Sequence, residues 1–415
     1  MRVGHGSADL PVPDGTPMGG YLDRPGPSTG LLDPLSVEAV TWFDGERRFA
    51  LATADVICVN EDLAHRVRSE SQSSDRSLGC ELWLAATHTH SGPETGCVPG
   101  GGPTPGPWLD RLSEAVGTAV RRAIDDERPC DGEARHGELH GVGADRSRPS
   151  APAVVPLTVI AVRERGDDDG RIAGVLAVLP VHPTVLPAAG RLVSADLAGA
   201  VRRALRARLG PGVWAVVATG AAGDISTRHT RRGQDAAELD RLAGMVADRC
   251  VELLREPPDR AWSAGSRIAL AARRLLLDPA GPGTGTGSAD AAELARGLRA
   301  AEESGDPIAV RMARSRMEGV RARSARTDPI AVHVHAARIG ELSVAGLPGE
   351  PFLAVAGSIT SAGPVMVLGY VNGYPGYLPT AEAYGRAEYE VLVSQVAPGS
   401  AEALASAARQ LLEDM

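Results

Sequence analysis

The chain has 415 residues, 43% hydrophobic and 23% charged, with a formal net charge of -9. These are ordinary globular values, so they exclude a disordered chain and lead us to expect a substantial buried core. Arginines are scattered rather than gathered into runs, which argues against nucleic-acid binding, and no apolar stretch reaches the length of a membrane span. Met1–Gly6 lacks the apolar core of a secretory signal. The five cysteines (Cys58, Cys80, Cys97, Cys130, Cys250) are odd in number and form no CxxC pair. A reducing, cytoplasmic setting without a membrane anchor is the expectation.

In chain order, the apolar runs Phe49–Val59, Glu81–Thr87, Ile172–Val181, Trp214–Thr219, Ile330–His335 and Val365–Gly369 read as buried strands. Amphipathic segments at Trp108–Asp126, Asp196–Leu209, Ala237–Arg255, Ala289–Ala325 and Ala401–Met415 read as helices. Strands alternating with helices predict an α/β fold, mixed sheets with helices packed on the faces. The Gly/Pro/Thr-rich segment Asp278–Ser288 reads as a mobile loop that opens a helical hairpin at about 286–327. Nearly every polar motif follows directly on a predicted strand, where sites form in open α/β sheets.

The first motif is Thr87-His88-Thr89-His90-Ser91-Gly92-Pro93. On an extended segment the two histidines would point to opposite faces, one to a metal and one to substrate. Two ordinary loop histidines would look the same. The second is His182-Pro183-Thr184, followed by Ser194-Ala195-Asp196, where Ser194 or Asp196 is a candidate helix N-cap. The third, Gly220-Ala221-Ala222-Gly223-Asp224-Ile225-Ser226, is a glycine-rich turn whose backbone N–H groups could approach a ligand; a simple tight turn is the alternative. Ser226 could be a nucleophile or could polarise a carbonyl. Glu350, between Pro348-Gly349 and Pro351, sits in a stiff turn that suits a metal ligand or a surface kink. Five of the six tyrosines fall between Tyr370 and Tyr389. Tyrosine offers a donor, an acceptor and, beside a metal, a phenolate. His333-Val334-His335 has metal-like spacing inside an alternating strand and reads as structural.

The order and wording of these motifs together resemble the neutral/alkaline non-lysosomal ceramidase family. The match runs from Gly20-Tyr21 and Asp33-Pro34-Leu35 through the two histidine motifs and Gly223-Asp224-Ile225-Ser226 to Leu347-Pro348-Gly349-Glu350 and Tyr377–Tyr389. The resemblance implies one zinc ion per chain, held by His88, His182, Glu350 and Tyr377. It implies catalytic roles for Ser226, His90, Tyr389 and Arg146, with His90 on the substrate side. Thr227 stands where the family usually has proline. The chain is also too short for the family's C-terminal immunoglobulin-like domain, so a single ceramidase-like catalytic domain over 1–415 is expected.

The activity so implied is zinc-dependent hydrolysis of an N-acyl amide, a small molecule smaller and more soluble than ceramide. One alternative is metal-dependent acyl transfer or cyclisation in a biosynthetic pathway. Another, of a different class, is a non-catalytic protein that keeps zinc for stability. A homo-oligomer is compatible with all three.

Overall fold

The computed structural model describes residues 1–22, 24–72, 78–98, 100–148, 150–166, 170–281, 291–386 and 388–415. Among these the largest sheet has nine strands. Eight lie in the order Trp214–Thr219, Ile172–Leu179, Val154–Glu164, Arg128–His140, Arg2–Asp9, Ser36–Phe43, Arg48–Ala54 and Glu81–Ala86, and Arg260–Trp262 adds to Arg128–His140. The pairs at the two ends of this path are parallel, and the pairs between them are antiparallel. A second sheet is built from Ile268–Leu277, Ile330–Ile339, Leu342–Gly346 and Met366–Leu368.

Period-two alternation explains how the layers stack. Along Ser36–Phe43, Val37 and Ala39 face a core beneath the helix Gly106–Asp125, which also buries Leu112, Val116 and Val120. Val40 and Trp42 face the opposite way, with Trp83, Ile160 and Val216, against Ile339, Val344 and Met366 of the second sheet. The helices Asp196–Leu209 and Ala236–Leu253 cover the other half of the large sheet. The outer face of the second sheet buries Val332, Val334 and Val367 under the helices Leu353–Thr360 and Ser400–Glu413. The result is helices, sheet, sheet, helices. This is the mixed α/β architecture expected, with two sheets face to face inside it.

The two faces of the sheet stack differ from the sequence reading mainly at strand ends. The strand expected over Phe49–Val59 stops at Ala54, because the Asp55 carboxylate accepts from the Ser36 N–H at 2.9 Å and the chain turns there. Likewise the strand expected to reach Val181 stops at Leu179, where the Val181 N–H bonds back to the Leu179 carbonyl. Strands Arg2–Asp9, Arg128–His140 and Val154–Glu164 are interrupted by Gly, Pro or charged residues and gave little periodic signal. The helical stretch expected over Ala289–Ala325 is two helices, Ala291–Ser304 and Pro307–Ala325. From residue 282 on, the loop expected at Asp278–Ser288 lies outside the described residues.

What positions the site is a knot of buried polar contacts where five strands end. Asp55 pairs with Arg202 of the helix Asp196–Leu209 and accepts from the Thr87 hydroxyl at 3.1 Å, one residue before His88. The Thr219 hydroxyl donates to the Thr87 carbonyl at 2.8 Å, and the Gly369 N–H donates to the Thr219 carbonyl at 3.0 Å. Removing one member of such a pair strands the other charge in a place without water. Arg202→Ala should therefore cost about 3–5 kcal/mol in urea unfolding. A loss under about 1 kcal/mol, typical of exposed pairs, would show that Asp55 is not held in this way.

Candidate metal centre

His88, His182 and Glu350 arrive from three different strand ends and meet. His88 follows Glu81–Ala86 in a left-handed backbone conformation (φ 65°). That turn changes the expectation drawn from an extended His-x-His. His88 and His90 do not diverge; their rings lie 4.8 Å apart, with the two Nε2 atoms at 3.2 Å. His182 follows Ile172–Leu179 and packs its ring 4.7 Å from that of His88. Glu350 Oε2 lies 2.9 Å from His182 Nε2 and 3.3 Å from His88 Nε2. All three side chains are buried.

The hydrogen bonds around them fix the tautomers. His88 Nδ1 faces the Ile57 carbonyl at 2.6 Å, and His182 Nδ1 faces the Ala222 carbonyl. A carbonyl only accepts, so each Nδ1 carries a hydrogen and each Nε2 is the atom turned toward Glu350. Burial, then the Arg146 cation, lowers the pKa of His182 to about 4, so it is neutral near pH 7. Burial alone would raise the Glu350 pKa, but the two histidines hold it well below the usual value. His88 Nε2, His182 Nε2 and Glu350 Oε2 therefore face one another; His182 Nε2 and Glu350 Oε2 have no hydrogen-bond partner, and His88 Nε2 has His90 Nε2 at 3.2 Å. A buried meeting of lone pairs is stable only around a cation. His88, His90 and His182 together place one ligand nitrogen each within 4.8 Å of the others, a group that could hold a metal ion.

Two glycines make this approach feasible. A side-chain carbon on Gly223 would sit 2.4 Å from the Glu350 carbonyl oxygen. Gly349 has φ 59°, and a carbon there would lie 2.5 Å from the Gly376 carbonyl oxygen. The glycines after Thr219 thus serve backbone-to-backbone contact, with the Gly223 N–H bonded to the Pro351 carbonyl. A ligand cradle, as read from the sequence, is not what they form. The N-cap of the helix Asp196–Leu209 is Ala195, which makes no side-chain cap bond; Ser194 Oγ accepts from the N–H of Asp196, the first helical residue, at 2.9 Å. The Asp196 carboxylate instead accepts from the Val185, Leu186 and Leu197 N–H groups and ties down the loop after His182.

The remaining expected residues line up beside this centre. Tyr377 is the cross-strand partner of Glu350 in a short parallel pair and stacks on His182 with centroids 6.4 Å apart. Burial pushes its phenol pKa well above 10, while Arg146, bonded to it and lying over its ring at 5.3 Å, pulls the other way. Arg146 is buried, paired with Glu390 at 2.5 Å and bonded to the Gly223 carbonyl at 2.8 Å. Tyr389 meets Tyr377 edge-on at 6.1 Å, and burial pushes its pKa up to about 12. Ser226 neighbours His182 through a backbone bridge, and its Oγ accepts from the Arg228 N–H at 3.2 Å. His333 and His335 lie elsewhere, on the strand Ile330–Ile339. His333 faces Glu61 at 3.6 Å, and His335 meets Asn372 at 3.3 Å and Trp83.

Several contributors carried no individual signal. The Tyr374 hydroxyl donates to Glu350 Oε1 at 2.5 Å, Tyr370 packs 4.4 Å from His88, and Tyr21 packs 4.9 Å from His90. Glu390, next to Tyr389, neutralises Arg146. The clustering of tyrosines and the Gly20-Tyr21 motif pointed at these segments, but only the fold says which hydroxyl goes where.

No protein-family model matches the chain, and no curated protein sequence matches it. Among solved structures, neutral ceramidase from Pseudomonas aeruginosa superposes with a TM-score of 0.75 at 18% identity, covering 100% of this chain and 75% of that one. The fold is that of neutral ceramidase. A second structure, described as ceramidase complexed with C2, gives a TM-score of 0.74 at 19% identity with the same coverage. At these identities the likeness establishes a shared neutral ceramidase fold, and the chemistry rests on the residues above. Among the described residues no helix is long and apolar enough to cross a membrane.

The opposed influences on Tyr377 yield a prediction. If its phenol becomes a ligand, zinc uptake near pH 7 must expel the phenolic proton. Calorimetric titration of metal-free protein in buffers of different ionisation enthalpy should show about one more proton released by wild type than by Tyr377→Phe. Equal release would remove Tyr377 from the ligand set.

Proposed function

We propose that the chain is a zinc-dependent hydrolase of linear N-acyl amides, built as a single catalytic domain over 1–415. The observation that carries this is the buried meeting of His88 Nε2, His182 Nε2 and Glu350 Oε2, with Oε2 2.9 Å from His182 and 3.3 Å from His88. Two imidazole nitrogens and a carboxylate, with Tyr377 as the fourth donor, suit zinc. When bound, zinc supplies Lewis acidity to a carbonyl oxygen and acidifies water.

The chain's own groups then divide the work. In amide hydrolysis a water oxygen joins the acyl carbon, the C–N bond breaks, and the departing nitrogen takes up a proton. His90 is kept neutral by burial, which lowers its pKa, so it has one N–H to give to the developing oxyanion. Tyr389 stays protonated with its pKa near 12 and is a second donor. Arg146, fixed by Glu390, is the third, and each donor contributes on the order of 3 kcal/mol. Ser226 accepts from the Arg228 N–H, which leaves its own hydrogen to orient the carbonyl or the leaving nitrogen.

The substrate we propose is smaller and more soluble than ceramide. Exposed leucines occur on segments next to the site: Leu22 adjoins Tyr21, and Leu31 and Leu192 belong to the paired strands Gly30–Leu31 and Leu192–Val193. We read this exposed apolar surface as the place for a modest acyl chain, worth about 0.8 kcal/mol per buried methylene.

Purified protein should hold near-stoichiometric zinc, falling sharply in His88→Ala, His182→Ala and Glu350→Ala. His90→Ala, Ser226→Ala and Tyr389→Phe should keep the zinc and lose roughly a hundredfold in turnover. Short N-acyl amides should be cleaved in preference to long-chain ceramide. Full activity after zinc removal would overturn the metal reading, and turnover of ceramide alone would overturn the substrate reading.

A further inference from the structure

Arg228 lies two residues beyond Ser226, and its backbone N–H is the donor that occupies the Ser226 oxygen. Its guanidinium reaches the Arg146 carbonyl at 3.4 Å. Its charge is felt by, and feels, Arg146 and Glu390 on one side and Tyr21 on the other. Tyr21 packs on His90, so Arg228 stands where the Arg146 side and the His90 side of the site face each other. The side chain reaches solvent, yet the protein around it excludes enough water that burial, followed by the neighbouring Arg146 cation, lowers its pKa from the ordinary value. Arg228 is thus an exposed cation beside the Ser226 turn and the Arg146 backbone.

Among the described residues no ion pair answers the charge of Arg228. Glu390, the acid in its surroundings, is committed to Arg146 at 2.5 Å. Among the described residues Arg228 makes no ion pair, and its hydrogen bonds go to a backbone carbonyl and, through its N–H, to Ser226. Neighbouring arginines are spent otherwise: Arg24 donates to the Gly190 and His90 carbonyls, and Arg231 to the Thr184 carbonyl. In a chain of net charge -9, this exposed guanidinium is a cation that no carboxylate of the described residues engages.

We propose that Arg228 is the receptor for a carboxylate of the substrate, placed within reach of the scissile amide. This rests on the amide-hydrolase reading and narrows it to anionic amides. A guanidinium presents a rigid fork that matches a carboxylate with two parallel hydrogen bonds. Binding would cover the fork and strengthen the pair as water leaves. The carboxylate could belong to the amine side, as in an N-acyl amino acid, or to the acyl side, as in a dicarboxylic acid monoamide. In either case hydrolysis consumes one water and releases an amine and an acid, and the receptor carboxylate is unchanged.

The test uses zinc-loaded full-length protein and two anionic probes, each beside a neutral isostere. N-octanoylglycine is compared with N-octanoylethanolamine, and N-butylsuccinamic acid with N-butylpentanamide. Equilibrium binding by calorimetry and kcat/KM are both measured for wild type, Arg228→Gln and Arg228→Lys. Wild type should favour one anionic probe over its neutral match by roughly 10- to 100-fold, the worth of a charged hydrogen-bonded pair. The preference should collapse in Arg228→Gln and survive in part in Arg228→Lys, which keeps the charge and loses the fork. Which probe shows it assigns the carboxylate to the amine or the acyl side. No anionic preference in wild type, or a preference that persists in Arg228→Gln, overturns the proposal. Selective binding through Arg228 without turnover of any probe would uphold the receptor and sink the hydrolase reading instead.

Discussion

Everything in this protein leads to a place where two imidazole nitrogens and a carboxylate oxygen face one another. His88, His182 and Glu350 each come with a backbone or side-chain partner that fixes the reacting atom inward: the Ile57 carbonyl, the Ala222 carbonyl and the Tyr374 hydroxyl. Each partner is itself buried in a segment that could not move without disturbing a sheet. Holding acceptors face to face in a site without water is unfavourable by several kcal/mol. The fold tolerates it because the five strand ends that meet here are locked together by the Asp55–Arg202 pair and the hydrogen bonds through Thr87 and Thr219. A cation relieves that cost, so the packing that holds these atoms together also favours binding one.

The same packing separates roles by depth. The histidines and Glu350 are the deepest layer. Tyr377, Tyr389 and Arg146 form the next, with Arg146 charge-balanced by Glu390, so that its hydrogen bonds stay directed without an unpaired buried charge. Arg228 and Tyr21 stand at the rim. The helix Pro307–Ala325 belongs to this outer part. Its Arg323 donates to the carbonyls of Val391 and Ser394, and Gly319 lies against Val393, which braces the short helix Tyr389–Val393 that carries Tyr389.

How much of this was legible in the sequence follows from which forces are local. Long apolar runs such as Trp214–Thr219 and the amphipathic pattern of Asp196–Leu209 read correctly, because period and burial are properties of neighbouring residues. Strands such as Arg128–His140 did not, since their glycines and charges make sense only opposite Val154–Glu164. At the site, His88, His182, Ser226 and Glu350 could be singled out because each follows a strand or a stiff turn, while Tyr377, Tyr389 and Arg146 were assigned only through the family resemblance. What could not be read was the left-handed turn at His88, which brings His90 beside its neighbour. Nor could the partners Tyr374, Tyr370 and Glu390 be read, since nothing in their local sequence distinguishes a hydroxyl that serves a carboxylate from one that merely packs.

The most direct test of the account is anomalous diffraction at the zinc absorption edge from crystals grown without added chelator. We expect one peak per chain, contacted by His88 Nε2, His182 Nε2 and a Glu350 carboxylate oxygen. A peak at His333 and His335 instead, or a full-occupancy site in a His182→Ala crystal, would contradict the claim that these three acceptors form the metal centre.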